Sequence, residues 1–395
     1  MMKRIISAII FTALSAALAA APAHSLQQTE TSGAAFADVE FRFAADASLV
    51  FTAGEYGGGA LADLDTRFEW EGISDNGTRW GLELGGQVQR DSARRGFGNR
   101  AGAALVPQRS LATTRYNGGW PERQAIRAGA SRANLFLKTS WGDWRVGLTP
   151  GAAATESVTM PTSSATVRLD GGPLSPHYGA AIRTLNAASG LGPTLIYSTP
   201  RIIGIRASAS FTPETSFCGL DFCRQAGPVP QLASPVLENV AEAGLSFDHT
   251  FRESGRVGLG VNLAIADPQS VVFTQDYTAY SVQGRWSRDG LNLGLSWLSA
   301  DNAVSGGSYD AVMAAVRYDR GDWSVGAEWA QAEDDFLGEQ QTATQITISR
   351  LTGDAFTVTF GLHEVDTEFR QFGALVFGNA ARNGTGAFLE IAFRQ

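Results

Sequence analysis

The residues able to do chemistry in this 395-residue chain are few and widely spaced. His177, His249 and His363 stand far apart in the sequence, and His24 lies near the N-terminus. The chain has no H-E-x-x-H metal motif, no G-x-S-x-G nucleophile motif and no phosphate-binding Walker loop. Each isolated histidine is better interpreted as a loop or lumen side chain than as a catalytic base. The sequence therefore predicts a protein that is not an enzyme and uses no cofactor.

The two cysteines, Cys218 and Cys223, are separated by four residues. In an exported protein such a pair meets an oxidising compartment, so we expect a disulfide that closes a small loop. A metal or redox pair is the alternative, but two thiolates without a nearby histidine make a poor zinc site. The run Glu333-Asp334-Asp335 could bind a divalent cation, although a solvated acidic loop is the simpler interpretation. The sequence predicts no metal site.

Residues 1–25 have the organisation of a cleavable secretory signal. Two basic residues precede an apolar run from Ile5 to about Ala21, and small residues follow it. We expect cleavage after about Ala23 or Ser25, which leaves 26–395 as the mature domain. An uncleaved anchor is the alternative, because the apolar run approaches the roughly 20 residues that a membrane-spanning helix needs.

The composition of the chain excludes several classes of protein. There are 31 Lys and Arg against 39 Asp and Glu, a formal net charge of -8, which argues against nucleic acid as a partner. The mean hydropathy is -0.07, and beyond the predicted signal no segment approaches 18 uninterrupted apolar residues. A helical membrane protein is therefore excluded. The 45 Gly, 22 Phe and 9 Trp are typical of a strand-rich chain.

Apolar and polar side chains alternate along most of the chain, which is the pattern of β-strands with one apolar face. In the segment 38–52, for example, Phe41 and Phe43 share one face whereas Glu40 and Arg42 share the other. The pattern recurs in about sixteen segments. An all-β fold of about sixteen antiparallel strands is the prediction.

The connections between the predicted strands alternate in length. Short turns are expected near Asn76, Gly142, Arg201, Glu253, Asp289, Gly321 and Gly353. Long segments are expected at about 91–130, 150–190, 213–236, 266–275, 331–340 and 365–384. Short periplasmic turns on one rim and long extracellular loops on the other are typical of a transmembrane up-and-down β-barrel of the outer membrane.

A soluble barrel or sandwich would alternate too, but with its apolar side chains turned inward. Two features favour the membrane barrel. The polar face carries too many charges for a packed core, and Trp and Tyr gather at strand ends, where an interfacial aromatic girdle would lie. We therefore expect the polar face to line a wide, wet lumen.

Three stretches carry a resemblance to a known family. They are Thr66 to Ile73 with the turn Asp75-Asn76-Gly77, Trp141 to Gly147, and Pro193 to Tyr197. In this pattern the chain resembles the general diffusion porins of alphaproteobacteria, the Rhodobacter type. The resemblance implies an outer-membrane barrel, usually a homotrimer, that lets small polar solutes and ions diffuse passively. A substrate-selective uptake channel and a barrel with a structural or adhesion role are the alternatives.

Two segments bear on the expected channel. The resemblance implies that the third loop, about 149–190, folds inward as a constriction, and the alternative is that its acidic residues point to solvent above the barrel. The basic segment 91–130 could pair with lipopolysaccharide phosphates or remain simply solvated. An acidic loop against a basic wall would set up a transverse field. The residues predicted to form it are Glu156, Arg168 and Asp170 on the loop and Arg42, Arg67, Arg145 and Arg206 on the wall.

Overall fold

Sixteen antiparallel strands form a closed barrel in the computed structural model. The structure describes residues 39–55, 58–91, 100–101, 108–109, 116–117, 126–170, 174, 182–215, 236–269, 275–369 and 383–394. The barrel strands are β1 (Val39–Gly54), β2 (Gly59–Ile73), β3 (Arg79–Asp91), β4 (Ile126–Thr139), β5 (Gly142–Leu148), β6 (Pro193–Ser198), β7 (Ile205–Glu214), β8 (Val236–Phe251), β9 (Gly255–Gln269), β10 (Tyr277–Arg288), β11 (Leu291–Asp301), β12 (Ser308–Arg320), β13 (Trp323–Asp334), β14 (Glu339–Thr352), β15 (Phe356–Phe369) and β16 (Gly384–Arg394). The prediction of an all-β barrel of about sixteen strands is confirmed.

The first and last strands close the barrel. Leu49 of β1 lies opposite Ile391 of β16, and Phe51 lies opposite Leu389. Each of the strands β2 to β15 pairs with the barrel strands that precede and follow it in the sequence. Closure gives every barrel strand a neighbouring strand on both sides. A barrel in hydrocarbon requires this because water is absent there to satisfy backbone N–H and C=O groups.

The connections between the barrel strands contain little regular secondary structure in the described part of the chain. Three two-residue strands, Arg100–Ala101, Gln108–Arg109 and Tyr116–Asn117, form a separate small sheet. A single turn of helix, α1 (Ala152–Thr155), follows β5. Among the described helices, none has the length and apolar character needed to cross a membrane.

The apolar face of the strands points outward. Phe41 is 65% exposed, Leu135 57% and Leu295 59%, whereas Glu83 and Glu390 on the opposite face are buried. So many exposed apolar side chains would be unfavourable in water but are stable against lipid. The predicted orientation of the two faces is therefore the one found.

Aromatic side chains gather on the outer face near the short-turn rim. The rings of Trp70 and Trp80 lie 5.6 Å apart, and those of Trp144 and Tyr197 lie 4.7 Å apart. On the far side of the barrel, the Arg350 guanidinium lies 5.3 Å from the centre of the Trp323 ring. Amphipathic rings of this kind are typical of the boundary between lipid and water.

The predicted short turns are present, but one predicted long connection is wrong and another begins a few residues later than predicted. Strands β13 and β14 are joined by residues 335–338 alone, although a long segment was expected at 331–340. Likewise β9 continues to Gln269, well into the segment expected at 266–275. Outward polar residues such as Gln331 and Gln340 interrupt the alternation there while the backbone pairing continues.

The inner face is not uniformly polar, which differs from the expectation of a fully wet lumen. Near the long-loop rim, the inward residues of β9 to β15 are mostly small or apolar, and residues of the β5–β6 connection cover them. The cluster includes Ala264, Leu298, Ala311 and Met313 from the strands and Met160, Leu169 and Ile182 from the connection. In these parts of the strands both faces carry apolar residues. The sequence there does not alternate between polar and apolar, so it does not indicate which residues face inward.

Candidate functional site

The connection between β5 and β6, residues 149–192, lies inside the barrel, and we call it the inner loop. Its described parts are 149–170, 174 and 182–192. The Arg317 side chain donates a hydrogen bond to the Thr162 carbonyl (2.9 Å), and the Ser349 hydroxyl donates to the Ser163 carbonyl (2.8 Å). These partners are inward-facing residues of β12 and β14, so the loop runs along the inner wall.

A buried carboxylate on β16 holds the middle of the inner loop. Glu390 has no exposed surface, and its two oxygens accept four hydrogen bonds. The donors are the Ser164 hydroxyl (2.7 Å), the Ala165 amide (3.0 Å), and the Thr166 amide (2.8 Å) and hydroxyl (2.5 Å). Hydrogen bonds to an ionised group are about twice as strong as neutral ones. Glu390 is therefore the principal anchor of this part of the loop.

Two further wall carboxylates contact the inner loop, one at both of its ends and one near its middle. Glu242 on β8 accepts hydrogen bonds from the Ala153 amide (3.1 Å) and the Ser189 amide (2.8 Å). Glu328 on β13 accepts one from the Leu169 amide (3.3 Å). The acidic residues that contact the loop backbone are thus on the wall, and none of them was among the predicted site residues.

The loop residue Glu156 contacts the wall directly. Its carboxylate lies 2.7 Å from the Arg206 guanidinium and accepts hydrogen bonds from the hydroxyls of Ser208 (2.5 Å) and Ser246. Its side chain is only 2% exposed. Two of the predicted site residues are therefore brought together as an ion pair. Their opposite charges are in direct contact and are not separated by the width of the lumen.

A second set of charges lines β2, β3 and β4, and we call it the charged wall. Glu83 lies at its centre, 2.8 Å from Arg67 and 2.9 Å from Arg132. Arg67 also pairs with Glu69 (3.0 Å), and Lys138 lies 3.7 Å from Glu71. The members of the charged wall are Arg67, Glu69, Glu71, Glu83, Arg132 and Lys138.

The bases of the charged wall are more exposed than its acids. The side chain of Arg67 is 43% exposed against 7% for Glu83, and that of Lys138 is 33% exposed against 2% for Glu71. Long basic side chains can extend their charged heads into water while their stems cover the groups beneath. The surface that this wall offers to the lumen is therefore cationic, although its formal charges are balanced.

The other predicted residues lie apart from these groups. Arg42 pairs with Glu40 (2.7 Å) near the short-turn rim, and Arg168 lies 3.7 Å from Asp170 within the inner loop. Arg145 is a half-buried residue of β5, opposite Phe136 in the register.

Two of the four histidines lie within the described residues, and both of them contact aromatic rings. His249 lies between Phe247 and Phe251 on the outer face, and His363 stacks on Phe388 inside the barrel. The predicted disulfide, the predicted signal and His177 lie outside the described residues. Within the described ranges, no group of three or more His, Cys, Asp or Glu could hold a metal ion.

Comparison with known proteins agrees with this architecture. A family model described as Gram-negative porin matches residues 12–367. The solved anion-selective porin from Comamonas acidovorans is similar at 11% identity and a TM-score of 0.55, over 91% of this chain and 100% of that one. A mutant of the Rhodopseudomonas blastica porin is similar at 14% identity and a TM-score of 0.50, over 90% and 100% of the two chains. No curated protein matched the sequence. Because the family model covers most of its length, the chain belongs to the Gram-negative porin family.

Proposed function

We propose that the channel of this porin favours anions. Passive diffusion of small hydrophilic solutes across the outer membrane is the function that membership of the porin family gives the chain. The observation that carries the preference is the difference in exposure on the charged wall, where Arg67 and Lys138 reach water and Glu71 and Glu83 do not.

The physical reason is the distance between each charge and a passing ion. The Coulomb energy falls with distance, so a passing ion interacts most strongly with the charges nearest to it, and charges beyond the Debye length, about 8 Å at physiological ionic strength, are largely screened. Those are the guanidinium and ammonium heads, because the carboxylates lie behind them. A channel lined by one sign of charge concentrates the opposite ion.

The inner loop supports the same preference. Its exposed charge is also basic, since the side chain of Arg168 is 28% exposed and that of Asp170 only 14%. Glu156 is covered by Arg206, which keeps 25% of its own side chain exposed. The loop acts as the constriction in this proposal, and Arg145 continues the basic lining, whereas Arg42 pairs with the similarly exposed Glu40 and adds no net charge.

The solved Comamonas porin is itself described as anion-selective. At 11% identity that likeness shows the fold alone, so the preference proposed for this chain depends on its own charged wall. Resemblance in the stretches Thr66–Ile73 and Trp141–Gly147 supports a place among the alphaproteobacterial general diffusion porins, without enzymatic activity.

Planar lipid bilayers test the channel itself. Purified protein should give a conductance that is linear in voltage and rises with potassium chloride concentration, because a water-filled lumen has no saturable step. A current that saturates at low salt would favour a substrate-selective uptake channel. Protein that inserts without conducting would favour a structural role and would contradict the proposal.

We infer that the protein is a homotrimer whose contact face includes the seam between β16 and β1. Small outward residues lie at this seam, and a cavity of about 780 Å³ in the outer surface is lined partly by Ala53, Ile346, Leu362 and Ala387. A recess of this kind offers space for side chains of a neighbouring subunit. Lipopolysaccharide would surround the remaining outer surface at the long-loop rim.

Sedimentation equilibrium in mild detergent measures this assembly directly. Wild-type protein should have three times the mass of one chain. Ala387→Trp should dissociate the trimer because it fills the recess, whereas Leu295→Trp, on the exposed outer face of β11, should not. Wild-type protein that sediments only as a monomer would contradict the inference.

We also propose that residues 1–25 are removed on export. Support comes from the basic start, the apolar run and the small residues that follow it. N-terminal sequencing of protein from outer membranes should begin after about Ala23 or Ser25, and a sequence beginning at Met1 would contradict cleavage.

A further inference from the structure

A cavity of about 250 Å³ lies between the inner loop and the wall formed by β7 to β10. Loop residues 155–159 bound it on one side, and inward residues near the short-turn rim bound it on the other. It is separate from the charged wall, which lies on β2 to β4. The charged residues that line the cavity are Arg201, Arg206, Arg256, Arg285, Glu156 and Asp248.

Both carboxylates of this cavity are already engaged. Glu156 is paired with Arg206, and Asp248 accepts two hydrogen bonds from the Arg256 guanidinium, at 2.7 and 2.5 Å. Four arginines against two carboxylates leave the lining with an excess of two positive charges.

The excess charge belongs to Arg201 and Arg285. The Arg201 guanidinium donates to the Gly204 carbonyl (2.6 Å) and the Ser246 hydroxyl (3.0 Å), both of which are neutral. Half-buried Arg285 donates one long hydrogen bond, 3.4 Å, to the side-chain oxygen of Asn292. No carboxylate in the described part of the chain lies within ion-pair distance of either guanidinium. Arg201 is exposed, whereas half-buried Arg285 is partly removed from water without a counter-charge, which is unfavourable, so an anion beside Arg285 would be stabilised.

We propose that this cavity binds a small divalent oxyanion of the phosphate or sulfate type. The planar guanidinium presents two parallel N–H groups, which match the edge between two oxygens of a tetrahedral anion. Two net positive charges match the charge of such an anion. The inference rests on the proposed anion-favouring channel only in that the lumen delivers the anion to the cavity.

Calorimetric titration of the detergent-purified protein with sulfate, at constant ionic strength, tests the site. Wild-type protein should bind one sulfate per chain, and inorganic phosphate should compete for the same site. Arg285→Gln should weaken binding by about tenfold or more, the loss expected for one charge-assisted hydrogen bond. Arg132→Gln removes the same charge from the charged wall and should change the affinity by no more than about twofold, because Arg132 does not line the cavity and salt weakens its field there.

The outcomes separate this site from the channel function. Equal weakening by Arg285→Gln and Arg132→Gln would overturn the cavity site and assign sulfate binding to the general charge of the lumen. Absence of sulfate binding by wild-type protein would also overturn it. Chloride conductance of the same preparations reports the channel independently, so sulfate binding without conductance would contradict the channel and support the cavity.

Discussion

Glu390→Gln should release the middle of the inner loop from the barrel wall. The carboxylate accepts four hydrogen bonds from residues 164–166, and an amide keeps only one accepting oxygen. Its NH₂ group would face either the Thr166 amide or the Ala165 amide, neither of which can accept a hydrogen bond. Each hydrogen bond to a charged group contributes about 1.5–3 kcal/mol, so we expect a loss of about 2–4 kcal/mol in loop attachment.

Single-channel recording measures the release. Wild-type current should be steady, and the current of Glu390→Gln should fluctuate between levels as the loop leaves the wall and returns. Glu364→Gln is the matched control, because it makes the same chemical change on the exposed outer face of β15. Currents as quiet in Glu390→Gln as in Glu364→Gln would show that this carboxylate does not anchor the loop.

Combined substitution of Arg67, Arg132 and Lys138 by Gln should reverse the ion preference of the channel. The carboxylates beneath them, Glu71 and Glu83 among others, would then be the nearest charges to the lumen. We expect the ratio of anion to cation permeability to fall on the order of tenfold at low salt. The change should shrink towards molar salt, where the Debye length is about 3 Å.

A charge-conserving variant controls for damage to the fold. Arg67→Lys with Arg132→Lys keeps both positive charges near Glu83 and should retain the anion preference, although it loses the paired donors of each guanidinium. If the three-residue Gln variant conducts and still prefers anions at low salt, the charged wall does not set the selectivity.

The barrel could be predicted from the sequence because its signal is local. Alternating side chains such as Phe41 and Arg42 must point to opposite faces of a strand, and a lipid-facing surface must be apolar throughout. The same reasoning was wrong where the outer face became polar, as at Gln331 and Gln340, because alternation then no longer marks a strand that continues.

The arrangement inside the barrel could be predicted only in part. Parity placed Arg67 and Arg206 on the inner face, but it does not show which acid lies beside each. Glu390 and Thr166 are 224 residues apart in sequence, and their contact depends on the path that the loop takes along the inner wall. The strand register does give one indication that Glu390 contacts the loop. Glu390 lies between Val50 and Thr359 on the neighbouring strands, with no base opposite it, so its carboxylate needs hydrogen-bond donors from elsewhere.

The exposure of each charged side chain also could not be predicted from the sequence. The sequence predicted an acidic loop against a basic wall, with a transverse field across the narrowest part of the channel, but it did not predict which charges are in contact. In the structure Glu156 lies against Arg206, and the bases of the charged wall cover its acids. Side-chain length explains this difference, because a carboxylate ends close to the backbone whereas a guanidinium extends past it.

The zero-current potential of the wild-type channel under a potassium chloride gradient shows whether the channel favours anions. With the bases of the charged wall nearest the lumen, the sign of the potential should show that chloride is more permeant than potassium. Its magnitude should fall as the overall salt concentration rises. A potential of the opposite sign at low salt would show that the buried carboxylates dominate, and it would contradict an anion-favouring channel.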